Sequence, residues 1–185
     1  NLEYARVYIA FVAKVLAAER AATPGETRLS EAVARNLFKL MAYKDEYEVA
    51  RLALSAEPNQ ELTNLFGQNA RVTYHLHPPF LRALGWQRKI RLGRWFTIVY
   101  RLLASLKGLR GTPFDFFGYA RVRRIERKLV DEYRQTIEQA LADLSPAGME
   151  RAMQLADLPD IIRGYEQVKL DNITRYRART AEIQG

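Results

Sequence analysis

Apolar residues along most of this chain recur at spacings of three and four, the signature of amphipathic helices. Tyr4, Val7, Tyr8, Phe11, Val15 and Leu16 share one face of a segment over 3–20, and the alanines between them favour helix. Thr23-Pro24-Gly25 breaks it. Ser30 reads as the next N-cap, with Glu31 complementing the helix dipole, and Val33, Leu37, Leu40 and Met41 form the following stripe. Asp45-Glu46-Tyr47-Glu48 fits a variant capping box, so the chain either bends near Lys44 or runs on as one helix to Leu54. Pro58-Asn59 starts a shorter helix ending near Gly67.

The period then changes. Val72, Tyr74 and Leu76 alternate with Arg71, Thr73, His75 and His77, which predicts a strand over 71–77 stopped by Pro78-Pro79. Residues 88–92 are its expected partner, giving a small hairpin whose loop carries Trp86. So small a hairpin must pack on helices to persist. The helical period returns over 94–106, with Trp95, Phe96, Ile98, Val99, Leu102 and Leu103. Thr112-Pro113 offers a helix start before the Phe-rich turn Phe114-Asp115-Phe116-Phe117-Gly118. The clearest helix is 120–144, where Val122, Ile125, Leu129, Tyr133, Ile137, Leu141 and Leu144 keep one face apolar. Ser145-Pro146 caps another that ends near Leu158-Pro159. A last helix runs from about Gly164 to Glu182, with Tyr165, Val168, Ile173 and Tyr176 on one side. The expected fold is mainly α, a single helical domain over 1–185 with a small central β-hairpin.

Composition narrows the class. At 48% hydrophobic and 27% charged residues, the 185-residue chain is neither a disordered tail, a collagen-like repeat nor a coiled-coil rod. It is long enough to bury roughly 70% of its unfolded surface without staples. It contains no cysteine, which excludes disulfides, a thiolate nucleophile and cysteine-ligated clusters within the segment. It opens Asn1-Leu2-Glu3-Tyr4, and is expected to be a piece of a longer polypeptide. No apolar run reaches roughly 18 residues, so no transmembrane helix is expected.

The net charge of +8 is uneven: residues 71–128 carry 14 Lys/Arg against Asp115 and Glu126, a local excess of +12. Such a field attracts phosphates, nucleic acid, acidic proteins or anionic lipid, unless it only solvates a face. Arg121, Arg123, Arg124, Arg127 and Lys128 crowd the start of the long helix, where each exposed cation opposes the macrodipole by about 0.3–1 kcal/mol. A bound anion or an acidic neighbour would resolve the conflict.

The chemistry-bearing patterns are few. His75-Leu76-His77 in a strand points both imidazoles to one side, as a metal requires, but no Asp, Glu or Cys stands at suitable spacing. Hydrogen bonding around Pro78-Pro79 is the plainer reading, and His75 and His77 stay weak metal candidates. Phosphate-loop, dinucleotide and nucleophile-elbow motifs are missing. Asp115, between aromatics, is expected to pair with Arg110 and hold the loop. Trp86, Trp95, Tyr100 and Tyr119 beside Arg88 and Arg91 could stack bases, though no RNA-binding signature accompanies them. The basic, amphipathic Trp95–Leu109 helix could also lie on a membrane surface, but its charges are sparse.

Four strings carry a family resemblance. One is Arg35-Asn36-Leu37-Phe38-Lys39-Leu40-Met41-Ala42-Tyr43-Lys44-Asp45-Glu46-Tyr47-Glu48-Val49-Ala50-Arg51-Leu52. The others are His75-Leu76-His77-Pro78-Pro79-Phe80-Leu81, Leu109-Arg110-Gly111-Thr112-Pro113-Phe114-Asp115 with Gly118-Tyr119, and Ile162-Arg163-Gly164-Tyr165 with Val168-Lys169. Together they resemble, collinearly from about Leu29, the C-terminal region of indolepyruvate ferredoxin oxidoreductases of the fused α/β type. The resemblance implies a cytoplasmic parent that oxidatively decarboxylates arylpyruvates to acyl-CoA and reduces ferredoxin, using thiamine diphosphate and iron–sulfur clusters held elsewhere in the parent chain. It implies no cofactor and no catalytic residue in this segment, and an oligomer formed through the parent. The expected role is structural, or the docking of ferredoxin or CoA by Arg88, Lys89, Arg91, Arg121, Arg123 and Arg124. The alternative is an independent basic helical module that binds nucleic acid or another polyanion.

Overall fold

The computed structural model describes residues 2–42, 46–55, 65, 74–76, 90–92, 95–109, 112–119, 121–164 and 166–185. It is mainly α-helical. In chain order the elements are α1 (Leu2–Ala22), α2 (Arg28–Met41), α3 (Glu46–Ser55), β1 (Tyr74–Leu76), β2 (Ile90–Leu92), α4 (Phe96–Ser105), α5 (Arg121–Ala142), α6 (Met149–Asp157) and α7 (Glu166–Gln184). Short 3₁₀ turns cover Leu106–Leu109, Phe116–Tyr119 and Leu158–Ile161. Where the sequence suggests one domain, the contacts divide into two compact units: residues 1–43 with 119–185, and residues 44–118.

In the first unit α2 is the central helix and touches α1, α5 and α6. Leu29, Val33, Leu37 and Leu40 are buried as the stripe requires. They meet Val15 of α1, Leu129, Tyr133 and Ile137 of α5, Leu155 of α6, and Ile173 and Tyr176 of α7 in one apolar cluster. Met41, Ile125, Leu141 and Leu144 pack at its margin. On α7 the expected side is only half right, because Val168 is exposed while Ile173 and Tyr176 are buried. Val168 instead closes over Gly164, where φ is +86° and a Cβ would sit 2.8 Å from the valine Cγ1. Both the backbone and the space there demand glycine.

The start of α2 differs from the local reading. Thr27, not Ser30, occupies the cap position, and its hydroxyl donates to Glu31 Oε1 (2.8 Å) rather than capping the backbone. Ser30 lies buried in the first turn and donates to the Thr27 carbonyl (2.9 Å). The cap comes from α1: the fully buried Glu19 carboxylate accepts the backbone N–H groups of Leu29 (2.7 Å) and Ser30 (2.9 Å). An anion at a helix N-terminus satisfies orphan donors and complements the dipole together. The reversal between α1 and α2 suits this, with Gly25 at φ +90° completing the Thr23-Pro24-Gly25 turn.

The far end of α6 is closed from outside too. The Ala156 carbonyl accepts from Asn36 Nδ2 (3.0 Å) and from the Tyr133 hydroxyl (2.8 Å). Arg35 pairs with Asp157 (2.7 Å), and Lys39 Nζ donates to the carbonyls of Pro159 (3.1 Å) and Asp160 (3.2 Å) and to Asp160 Oδ1 (3.0 Å). Cations and donors at a helix C-terminus are the favoured arrangement. Ser145 caps the turn before α6 by accepting Gly148 N–H (3.2 Å), and the helix itself starts at Met149.

In the second unit α3 packs on α4, burying Tyr47, Ala50 and Tyr100. Tyr47 meets Phe117 edge to face at 5.3 Å. Tyr100 is therefore a core residue in edge-to-face contact with Phe96, not a platform for a base. β1 and β2 pair antiparallel, with Tyr74 opposite Leu92, His75 opposite Arg91 and Leu76 opposite Ile90. Of the open alternatives around Lys44, the structure has two helices: α2 closes at Met41 with Ala42 N–H on the Phe38 carbonyl, and α3 begins at Glu46. Glu48 forms an ion pair with Arg51 one turn on, and the cap assigned to Asp45 lies outside the described residues. Thr112-Pro113 opens a turn, not an α-helix: the Thr112 hydroxyl donates to the Leu109 carbonyl and accepts Phe114 N–H. Asp115 is buried, and its Oδ1 accepts Gly118 N–H (3.0 Å), while Arg110, its expected partner, lies outside the described residues. So does the short helix expected from Pro58 to Gly67, apart from Leu65.

Two stability predictions follow from the helix ends. Glu19→Ala leaves two buried N–H groups uncapped, so urea unfolding should show a loss of about 2–3 kcal/mol, against less for Glu19→Gln. An unchanged midpoint for the alanine variant would remove the cap. Lys39, then Arg163, hold the Asp160 carboxyl below its ordinary range by hydrogen bonding. A carboxyl so depressed lends stability above its unfolded pKa and loses it as pH falls through the folded value. Thermal melts of Asp160→Asn should therefore depend less on pH between about 5 and 2 than those of the parent chain.

Candidate functional site

Five cations in eight residues begin α5, where the helix dipole disfavours them. The structure gives them two separate fates. Arg123 turns back to Glu126, one turn along, at 2.6 Å. Glu126 is buried, and its other carboxylate oxygen receives Lys169 of α7. The acidic neighbour anticipated at this helix start is therefore Glu126, and Arg123 is ion-paired to it with a largely covered side chain. Arg121 and Arg124 are exposed and hold no ion pair among the described residues. Lys128 reaches Glu132 at 3.8 Å.

The remaining docking candidates are not brought to this point. Arg88 and Lys89 lie outside the described residues, and Arg91 is placed only as a β2 backbone position opposite His75. His77 is also outside, and among the described residues no group of three His, Cys, Asp or Glu is placed to hold a metal. Trp86 is outside, while Trp95 and Tyr119 are exposed.

A second arrangement, not apparent from sequence, is a groove of about 320 Å³ between α5 and α7. Thr136, Gln139, Tyr176, Thr180 and Gln184 line it, and the forked Glu132–Arg177 pair (2.9 and 3.1 Å) closes one end. Gln184 donates to Gln139 Oε1 at 2.8 Å. The buried Tyr176 phenol sits among the Thr136 and Thr180 hydroxyls without a well-directed hydrogen bond, and burial pushes it above its ordinary range. This wall offers amides and hydroxyls, which suit hydrogen bonding rather than nucleophilic chemistry. The Arg123–Glu126 spacing was readable locally; Lys169 and Arg177 come from a helix more than forty residues later, and no local pattern announces them.

Separating the two kinds of cation is straightforward. Glu126→Ala strands Arg123 and Lys169 and should cost about 3 kcal/mol in chemical denaturation. Arg121→Ala and Arg124→Ala should each stay within about 0.5 kcal/mol of the parent chain. Equal losses across the three variants would refute the division.

Comparison with known proteins gives one match. None of the curated proteins and none of the solved structures compared matches the chain. The model of a family described as "Family of unknown function (DUF6537)" matches residues 1–182. The match covers nearly the whole chain, which belongs to that family.

Proposed function

We propose that this chain is a non-catalytic C-terminal domain of an arylpyruvate:ferredoxin oxidoreductase of the indolepyruvate type, and that its role there is architectural, with Arg121 and Arg124 available to an anionic partner. The observation that carries this reading is what the family-like strings do wherever they are described. In the first string, Arg35, Asn36 and Lys39 all bind the end of α6. Asp115 and Gly118 of the third close a turn on each other. In the last string Arg163 holds Asp160, Gly164 supplies the left-handed turn, and Lys169 neutralises Glu126. Residues spent on joints suit a module that supports a reaction carried out elsewhere in a longer chain.

The parent reaction is the oxidative decarboxylation of a 2-oxoacid to acyl-CoA with ferredoxin reduction, in the cytoplasm. Thiamine diphosphate would supply the carbanion chemistry and iron–sulfur clusters the electron path. This chain has no cysteine, so its residues do not fit a cluster of the usual ligation, and no step is assigned to them. Ferredoxin and CoA are both anionic, and exposed arginines would steer either one.

The test uses the natural full-length protein, purified without oxygen. Indolepyruvate- and CoA-dependent reduction of ferredoxin is expected, and a protein that binds no thiamine diphosphate and oxidises no arylpyruvate sinks the assignment. The double variant Arg121→Glu/Arg124→Glu should raise the apparent KM for ferredoxin or CoA several-fold at low salt, with kcat preserved and the effect fading as salt rises. Unchanged kinetics at low salt would confine the domain to its architectural role. Arg123 is excluded from the variant, because replacing it would strand Glu126.

A further inference from the structure

Helices α5 and α7 run side by side in the same direction. Glu126–Lys169, Glu132–Arg177 and Gln139–Gln184 link them at separations of 43, 45 and 45 residues, so the two keep one register. Between the second link and the third, the seam carries Thr136 and Thr180 where large apolar side chains normally close two helices. These small residues border the groove of about 320 Å³. Tyr176 also lines it, yet is only 2% exposed, and its phenol oxygen has no hydrogen-bond partner among the described residues. The neighbouring Thr180 hydroxyl is spent on the Tyr176 backbone carbonyl (2.9 Å).

A buried hydroxyl without a partner costs stability, and phenylalanine would fill the same volume without that cost. Such a group needs an explanation beyond packing. One ordered water could satisfy it, but the groove holds roughly ten times the volume of one water. The donors and acceptors on the wall select a larger occupant. The Tyr176 and Thr136 hydroxyls and the Gln139 amide offer donors, while Thr180 Oγ1 and Gln184 Oε1 offer acceptors. The charges of Glu132 and Arg177 at one end are spent on each other. A carboxylate or phosphate brings only acceptors and would set them against the Thr180 and Gln184 oxygens. An ammonium brings only donors and leaves the Gln139 amide unmatched. Among the described residues lining the groove no exposed ring offers a stacking face for a flat heterocycle. A hydroxyl donates and accepts at once, so a neutral polyol matches every group.

We infer that the groove between α5 and α7 is a binding site for a neutral polyol of monosaccharide size, with the Tyr176 hydroxyl as its buried anchor and the Gln139 and Gln184 amides at its more exposed edge. The groove residues lie outside the four family-like strings, and none of them enters the oxidoreductase reading. The inference goes beyond the proposed function, and the two stand or fall separately.

The probes are D-glucose, D-galactose, D-mannose and myo-inositol, with glucuronate and glucosamine as charged counterparts, each added to the natural full-length protein. Saturation-transfer NMR reads contact and titration calorimetry reads affinity. At least one neutral probe should bind, and its charged counterparts should bind roughly tenfold more weakly. Tyr176→Phe should weaken that probe roughly tenfold. In the probe-free protein the same variant should slow hydrogen exchange in peptides of α7, because an unmet hydroxyl has gone. Gln139 is exposed, so Gln139→Ala should keep the fold by circular dichroism and weaken the probe several-fold. Failure of all four neutral probes to bind, equal binding of glucuronate or glucosamine, or affinity untouched by Tyr176→Phe overturns the inference. So does faster exchange in Tyr176→Phe, which would mean that the hydroxyl is satisfied within the protein or by an ordered water. Enzymatic activity is not a readout, so losing the arylpyruvate reading would leave this result intact.

Discussion

A single buried carboxylate, that of Glu19, sets the geometry of the larger unit. Burying an anion is costly unless it is fully bonded, and two backbone N–H groups at the start of α2 supply the bonds. The same contact ties the first turn of α2 to the end of α1, beside the buried Leu29, Val33 and Leu37. With that face set, α5, α6 and α7 have one apolar surface to assemble on. The joint is directional where the apolar cluster is not, so it contributes uniqueness as well as free energy.

The same logic recurs at other helix ends. Carbonyls at the end of α6 receive Asn36, Tyr133 and Lys39, and the cation-rich start of α5 is relieved by Glu126. In each case the residue that completes an end lies on a different helix or a turn away. The unit is thus a set of helices that cap one another, and its polar side chains are largely committed to that task. At the start of α5 the fold commits Arg123 in this way and leaves Arg121 and Arg124 exposed.

Much of the architecture was legible from periodicity. The stripes of α2 and α5, the Ala-rich α1, and the breaks at Thr23-Pro24-Gly25 and Pro159 are local signals, and the helices fall where those signals put them. Ser30 misled because a hydroxyl before an apolar run is the usual N-cap, and nothing nearby reveals a carboxylate arriving from eleven residues upstream. Val168 misled because its turn packs on Gly164 rather than on the core. The candidate site was less legible. A run of arginines shows where positive charge lies along the chain but not which members are spent: the one-turn spacing of Arg123 to Glu126 is a local signal, but only the fold buries that carboxylate and brings Lys169 to it.

The order of the two units along the chain has a consequence for biosynthesis. Residues 44–118 form one unit, yet they interrupt the other, whose halves are 1–43 and 119–185. On the ribosome, α1 and α2 emerge with a greasy stripe whose partners have not been made. At ordinary translation speeds the wait is on the order of ten seconds. During that interval the nascent α1–α2 pair is held by the Glu19 clasp, the Tyr8 hydroxyl on the Ala34 carbonyl and the Tyr8–Phe38 ring contact, while the remainder of its apolar stripe stands uncovered.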